Sequence, residues 1–258
     1  MGELGPGIPI PSKPTVNRFL DMNGYVIRAM KSETLICPVN VQKRFNWAQE
    51  YSKMDPNFWN CVIWSDETSI QAIPQNSEVH IRVHKSIDSK EIPKKPRAQG
   101  GGFTVMFWGM FSIYGKGPLV ALHGSVNSET YIEMLRDELL PDMEVIWEWY
   151  GVNMVFMQDN ASPHTAEKTR AFLAETGITV LPWPPQSPDV NPIENIWAWI
   201  KQECAWRYPM FPRNCDELID QVFEIWNSLP DEWFKPYARS VVHWVNAVLK
   251  AKGSNTKY

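Results

Sequence analysis

Three carboxylates stand where the chain turns from apolar to polar. Asp66 follows the apolar run CVIW at 61–64, Asp159 follows VNMVFM at 152–157, and Glu194 comes just after PPQSPDVNP at 184–192. Three hard oxygen ligands with no His or Cys among them favour Mg2+ or Mn2+ over Zn2+. Two such ions, about 3.5–4 Å apart, can clamp a phosphodiester. One activates a water or 3′-hydroxyl, and the other stabilises the departing oxygen. Each carboxylate also has a plainer reading. SDET and DNASPH are good turn sequences, so Asp66 and Asp159 can simply support turns. Asn191 as N-cap, Pro192 at the first helical position and Glu194 three residues after the cap make a capping box, with Asn in place of Ser or Thr. For Glu194 the two readings are compatible. Asn191 and Pro192 set where the helix begins, and the expectation is a carboxylate that occupies the capping position but turns toward Asp66 and Asp159.

The elements that must position these groups follow from periodicity. CVIW reads as a buried strand ending at Asp66. EVHIRVHK at 78–85 alternates strictly and reads as a half-exposed strand. FTVMFWGMFS at 103–112 and GPLVALHGSV at 117–126 are further strands joined by the turn IYGKG. VNMVFMQD at 152–159 lacks a polar face after Asn153 and reads as a central strand, and ITVLPW at 178–183 as another. Helices are predicted over 13–25, 40–54, 128–140, 165–177 (closed by Gly177), from Pro192 to about Arg207, and over 216–229 and 231–249. Consecutive early strands suggest an antiparallel meander, and the later alternation suggests parallel additions with helical crossovers. The fold class is therefore α/β, a mixed sheet covered by helices. If the strands before Asp66 and Asp159 are neighbours, the two carboxylates lie about 4.8 Å apart, one strand spacing, beyond the carboxyl ends where open α/β sheets bind ligands.

Composition narrows the classes. The chain has 258 residues, 44% hydrophobic, with 13 Trp, enough for a real core in one large or two small domains. No apolar run approaches the roughly 20 residues of a membrane span, so no membrane partner is expected. Four widely spaced cysteines form no metal motif and suit a reduced, intracellular protein. The net charge of -4 is a poor match to a stand-alone DNA-binding domain, but it does not exclude a nucleic-acid enzyme.

Four blocks together resemble the signatures of the Tc/mariner superfamily of DNA transposases: VIWSDET, GGGFTVMFWGMFS, FMQDNASPHTA and LPWPPQSPDVNPIENIWAWIK. Between Asp159 and Glu194 lie 34 residues, which resembles the Asp-Asp-Glu pattern of the Tc branch rather than the all-Asp mariner branch. The resemblance implies an RNase H-like core with a five-stranded mixed sheet, with Asp66, Asp159 and Glu194 as the metal-binding catalytic triad. It also implies cut-and-paste chemistry: hydrolysis at transposon ends, then attack of the freed 3′-hydroxyl on a TA target. Double-stranded DNA, both ends and target, would be the partner, a homodimer the assembly and the nucleus the location. The family usually begins with two helix-turn-helix units. Here PSKPTVNRFLDMNGY resembles only the last helix of the second, so residues 1–57 read as a remnant of the DNA-binding region with a linker, 58–258 as the catalytic domain, and the chain as N-terminally truncated.

Other residues are candidates for DNA contact. Asn160 and His164 follow the second Asp and can touch a phosphate or orient the nucleophile; alternatively Asn160 supports the turn and His164 caps the next helix. Arg82, Lys85, Lys94, Lys95 and Arg97 fall in the locally basic stretch 82–97, suited to a DNA backbone or to a solvated loop. Lys201 lies seven residues after Glu194 on the same helix face and can meet a phosphate or simply face water. Trp197 shares an apolar stripe with Ile193 and Ile200 and reads as core, whereas Trp183 is open to base stacking. Two other functions compete: an idle DNA- or protein-binding module descended from a transposase, and a glycoside hydrolase using paired carboxylates. The latter gives no reason for the 34-residue spacing.

Overall fold

The computed structural model describes residues 12–24, 35–72, 102–208 and 212–256. The contact pattern divides the chain into two units, 1–35 and 36–258. In the first, α1 (Lys13–Met22) is capped by the Ser12 side chain, which accepts from the Thr15 N–H. The second unit begins with α2 (Pro38–Tyr51). The sequence reading grouped this helix with the N-terminal remnant by a boundary at 57/58; its contacts lie with the larger unit. The reason is Arg44, fully buried. Its guanidinium donates to both carboxylate oxygens of Asp189, the Ser187 hydroxyl, and the carbonyls of Gln186 and Gly253. Trp47 adds an indole N–H to the Pro182 carbonyl at 2.7 Å.

Among the described residues the sheet has five strands in the order β3-β2-β1-β4-β5. β1 (Val62–Gln71), β2 (Thr104–Ser112) and β3 (Gly115–Leu122) are antiparallel neighbours; β4 (Val155–Met157) and β5 (Thr179–Val180) add in parallel on the other side of β1. The meander-then-parallel expectation is met. The strand predicted over 78–85 lies outside the described residues. Strand side chains alternate between faces, and each face has its own core. One contains Trp64, Phe107, Phe111 and Trp197, covered by α7 (Ile193–Arg207), α8 (Cys215–Ser228) and α9 (Lys235–Lys250). The other contains Ile63, Trp108, Met110 and Phe156 under α3 (Ser128–Met134), α4 (Leu140–Tyr150) and α6 (Glu167–Glu175), with the short α5 (Ser162–Thr165) leading into α6.

Three elements differ from expectation. β1 does not stop at Trp64; it runs to Gln71, so Asp66 sits within the strand. The ladder with β2 continues from Trp64 to Gln71, while the pairing with β4 ends at Trp64. The helix predicted to end near 140 continues to Tyr150 and is closed by Gly151 at φ 65. A π-helical stretch at Leu135–Leu139 precedes Pro141. Proline lacks the N–H that the regular ladder would use, and the locally widened turn accommodates it. β5 is only two residues long, because PWPP at 182–185 has few N–H groups to extend it.

Candidate active site

The register on either side of the β1–β4 pair sets the first two carboxylates. Trp64 is the partner of Met157. Asp66 and Asp159 each lie two residues further on, so both emerge just beyond the carboxyl end of β4. A chain of two hydrogen bonds joins the three elements that carry the acids. The Ser65 hydroxyl donates to the Met157 carbonyl at 2.8 Å, and Asn191 Nδ2 donates to the Ser65 carbonyl at 3.2 Å. Ser65 is thus the junction of β1, the end of β4 and the start of α7.

Glu194 arrives on α7. Asp66 pairs across the ladder with Gly109, and a Cβ at Gly109 would stand 2.6 Å from Trp197 Cη2. The missing side chain lets α7 lie close on the sheet beside Asp66 and brings Glu194, one turn before Trp197, to the same place. The expected capping box does not form. Asn191 donates from Nδ2 to the Ser65 carbonyl at 3.2 Å and accepts on Oδ1 from the Ile193 N–H at 3.4 Å, so it ties the start of the helix to β1. The Glu194 side chain is hydrogen-bonded to Asp66. The helix starts one residue later than expected, at Ile193 with Pro192 in the N-cap position, so Glu194 is not at the capping-box position, and its carboxylate has turned to its aspartate partner.

Electrostatics follow from this packing. Burial, then the Glu194 and Glu67 carboxylates, push Asp66 up to about 8. Burial also raises Glu194, against the opposing effects of the bond from Asp66 and the charge of Lys201. At neutral pH the pair holds one proton between its two carboxyl groups. Asp159 behaves oppositely. Burial disfavours its charge, but the bonds from the His164 ring and the Ala161 N–H hold it below its ordinary value.

The secondary candidates fall as follows. His164 is 4% exposed. Its ring faces two carboxylates, Nδ1 being 2.6 Å from Asp159 Oδ1 and Nε2 3.3 Å from Glu67 Oε1. It neither caps a helix nor faces solvent. Asn160 is exposed, and its Nδ2 donates to the Trp183 carbonyl at 3.0 Å, tying the Asp159 loop to the Pro-rich loop. Lys201 is exposed on α7. Arg82, Lys85, Lys94, Lys95 and Arg97 lie outside the described residues. Trp197 is core, as expected. Trp183 packs edge-on against Trp47 and Trp64, with ring centroids 5.1 and 6.0 Å away. The sequence did not single out Glu67, Ser65 or Gly109 as parts of the site, and it placed Asn191 there only as the residue that starts the helix. The adjacent acids Asp66-Glu67, which a strand must send to opposite faces, were the available signal for Glu67.

As they lie, no three His, Cys, Asp or Glu side chains among the described residues are grouped closely enough to hold one ion. The donor chemistry nonetheless suits a hard divalent cation. Asp66 and Glu194 share a proton that a cation would replace. Both hydrogen bonds to Asp159 fall on Oδ1, so Oδ2 is unbonded among the described residues.

The chain is similar to known proteins. Residues 61–215 match the model of the DDE superfamily endonucleases. The chain is 30% identical to the Tcb1 transposase of Caenorhabditis briggsae, over 98% of this chain and 90% of the relative, and 29% identical to the Tc1 transposase of Caenorhabditis elegans with the same coverage. The fold matches the Mos1 mariner paired-end complex with Mn at a TM-score of 0.76 and 18% identity, covering 95% of this chain and 72% of that one. It matches the isolated catalytic domain of Mos1 transposase, an RNase H-like fold, at 0.67 and 17%, covering 88% and 100%. The chain belongs to the DDE superfamily of endonucleases and carries a transposase catalytic domain of Tc1/mariner type.

Proposed function

We propose that Asp66, Asp159 and Glu194 hold two Mg2+ or Mn2+ ions and with them cleave phosphodiester bonds at transposon ends and join the freed 3′-end to target DNA, at TA in keeping with the family. The observation that carries this reading is the half-buried Asp66–Glu194 pair, both acids raised above their ordinary values by burial, on β1 and α7 beside the end of β4 that leads to Asp159. Like charges are not gathered in a half-buried site without a counter-charge to receive. When bound, the ions supply Lewis-acid stabilisation of the attacking and departing oxygens. The chain's own residues do the rest. Asp66 and Glu194 give up their shared proton and offer two carboxylates from opposite elements. Asp159 stays ionised throughout because His164 and the Ala161 N–H favour its charged form. Ser65 and Asn191 keep the three elements in fixed relation.

Double-stranded DNA as partner is supported by the Mos1 paired-end complexes that share the fold, one with the left transposon end, and divalent cations by their Mn and Mg forms. A homodimer and a nuclear location complete the proposal. Lys201, whose charge already reaches Glu194, is the described residue best placed to meet a phosphate; Arg82, Lys85, Lys94, Lys95 and Arg97 are proposed for the DNA backbone. The test is nicking and strand transfer on plasmid DNA with Mg2+ or Mn2+, with Asp159→Asn as control. Metal-dependent activity abolished by that change supports the reading. Activity that survives it, or that needs no metal, overturns it.

A further inference from the structure

The second acid of the SDE triplet has no place in the triad. Asp66 and Glu67 are consecutive in β1, so they leave the strand on opposite faces. Asp66 meets Glu194 on the α7 face. Glu67 meets His164 on the α3 face, beneath the loop that carries Asp159. His164 lies between the two acids, 2.6 Å from Asp159 Oδ1 and 3.3 Å from Glu67 Oε1. The first is a charge-assisted hydrogen bond; the second is an ion pair whose alignment falls short of one.

The ring cannot swing away. It lies against the Tyr131 ring, tilted by 31°, with centroids 4.1 Å apart. The Tyr131 hydroxyl and Gln158 Oε1 are 2.8 Å apart, and Gln158 Nε2 donates to the His164 carbonyl at 3.3 Å. The Thr169 hydroxyl holds the Pro163 carbonyl at 2.6 Å. The imidazole itself is buried, and its two nitrogens face only carboxylates. Such a ring is unsuited to touching DNA, but it is well suited to holding Asp159 still. Against Asp159 Oδ1 it joins the Ala161 N–H at 2.8 Å. Two donors on one oxygen fix the carboxylate plane and leave the other oxygen available.

We propose that His164, backed by Glu67, is a positioning residue that locks Asp159 through Oδ1 and so presents Oδ2 to a divalent cation. The inference rests on the metal-binding reading of the triad. It predicts which nitrogen matters. In His164→Asn the amide N–H falls near the Nδ1 position and keeps the bond to Asp159. In His164→Gln the amide falls near Nε2 and keeps only the side toward Glu67. His164→Phe preserves the ring contact with Tyr131 and removes both donors.

The experiment titrates the full chain with MnCl2 by calorimetry and records metal-free melting temperatures of the same variants. Outer partners of metal ligands are typically worth roughly 10–100-fold in metal affinity. The Gln and Phe variants are expected to bind Mn2+ weaker by about that factor, with His164→Asn within a few-fold of wild type. A merely structural histidine would lower melting temperatures while leaving Mn2+ affinity alone. Equal Mn2+ affinity in wild type, Asn and Gln variants overturns the inference. If His164→Phe fails to fold, the Asn-against-Gln comparison still decides. A wild-type chain whose Mn2+ binding is absent, or unchanged by Asp66→Asn, overturns the metal site itself and the inference with it.

Discussion

Asp66→Asn should make the metal-free protein more stable while destroying its site. Burial and the neighbouring Glu194 and Glu67 carboxylates raise Asp66 from 3.8 to about 8. At neutral pH the folded chain therefore keeps a proton that the unfolded chain has released. For an acid raised in this way, stability is fully present below the unfolded value and is lost as pH rises from about 4 toward about 8. At pH 7 this spans roughly three pH units at about 1.36 kcal/mol each, an upper bound of about 4 kcal/mol. Asp66 and Glu194 share the proton, so the share removable at one position is smaller, on the order of 1–3 kcal/mol. Asparagine is neutral at every pH, and its Nδ2 can donate to Glu194 as the carboxyl proton does. The expected result is a melting temperature roughly 2–10 °C above wild type at pH 7 in EDTA, with the gap closing near pH 4. Saturating Mn2+ should stabilise wild type, by about 2.7 kcal/mol at a hundredfold excess over Kd, and leave the variant unmoved. Circular-dichroism melts across pH 4–8 read both effects. A metal-free variant that melts at or below wild type at pH 7, or a gap independent of pH, would refute the charge argument. Equal stabilisation of both chains by Mn2+ would refute Asp66 as a ligand.

Arg44→Met leaves Asp189 without its ion-pair partner and is expected to cost about 3–5 kcal/mol by urea denaturation; Arg44→Lys should not restore it, since a point charge cannot replace the forked donor. Gly109→Ala places a methyl group 2.6 Å from Trp197. It should cost about 1–3 kcal/mol yet reduce nicking by roughly 100-fold, because α7 and Glu194 must shift; a loss of stability with full activity would show that α7 is not set by this contact. Burial alone raises Asp142 to about 6. Asp142→Asn should raise the melting temperature above pH 6 and have no effect near pH 4, measured by the same melts.

The acids were legible because their contexts are local. Apolar runs before Asp66 and Asp159 imply strands, Asn191-Pro192 implies a helix start, and the neighbouring of β1 and β4 follows from alternation. What periodicity could not show is where hydrogen bonds go once elements meet. SDET looks like a turn because Ser65, Asp66, Glu67 and Thr68 are polar on both faces. They are polar because β1 outruns β4 and flanks a polar site, with the ladder to β2 keeping the backbone extended. Asn191 matched a cap in sequence, but the helix starts one residue later, at Ile193, and Asn191 is bonded to the Ser65 carbonyl 126 residues away in the chain. Pro141 looked like a helix end, and a π turn absorbed it. In each case a tertiary contact outweighed a sound local preference.

The same geometry explains how four carboxylates coexist in a metal-free site. Asp66 and Glu194 share one proton across the α7 face, so that pair carries a charge of -1. On the other face, burial favours a neutral His164, but its contacts with Asp159 and Glu67 prevail and raise the ring to about 9. At neutral pH it is an imidazolium facing both acids, and the plane of β1 divides it from the Asp66–Glu194 pair. A cation would displace the proton of the first pair, since it sits on ligand oxygens, and would meet Asp159 Oδ2, already ionised, directly. His164 keeps its proton on a ring that contributes no ligand. One strand, by alternating Asp66 and Glu67, thus separates the charge that a metal must balance from the charge that holds a ligand in place.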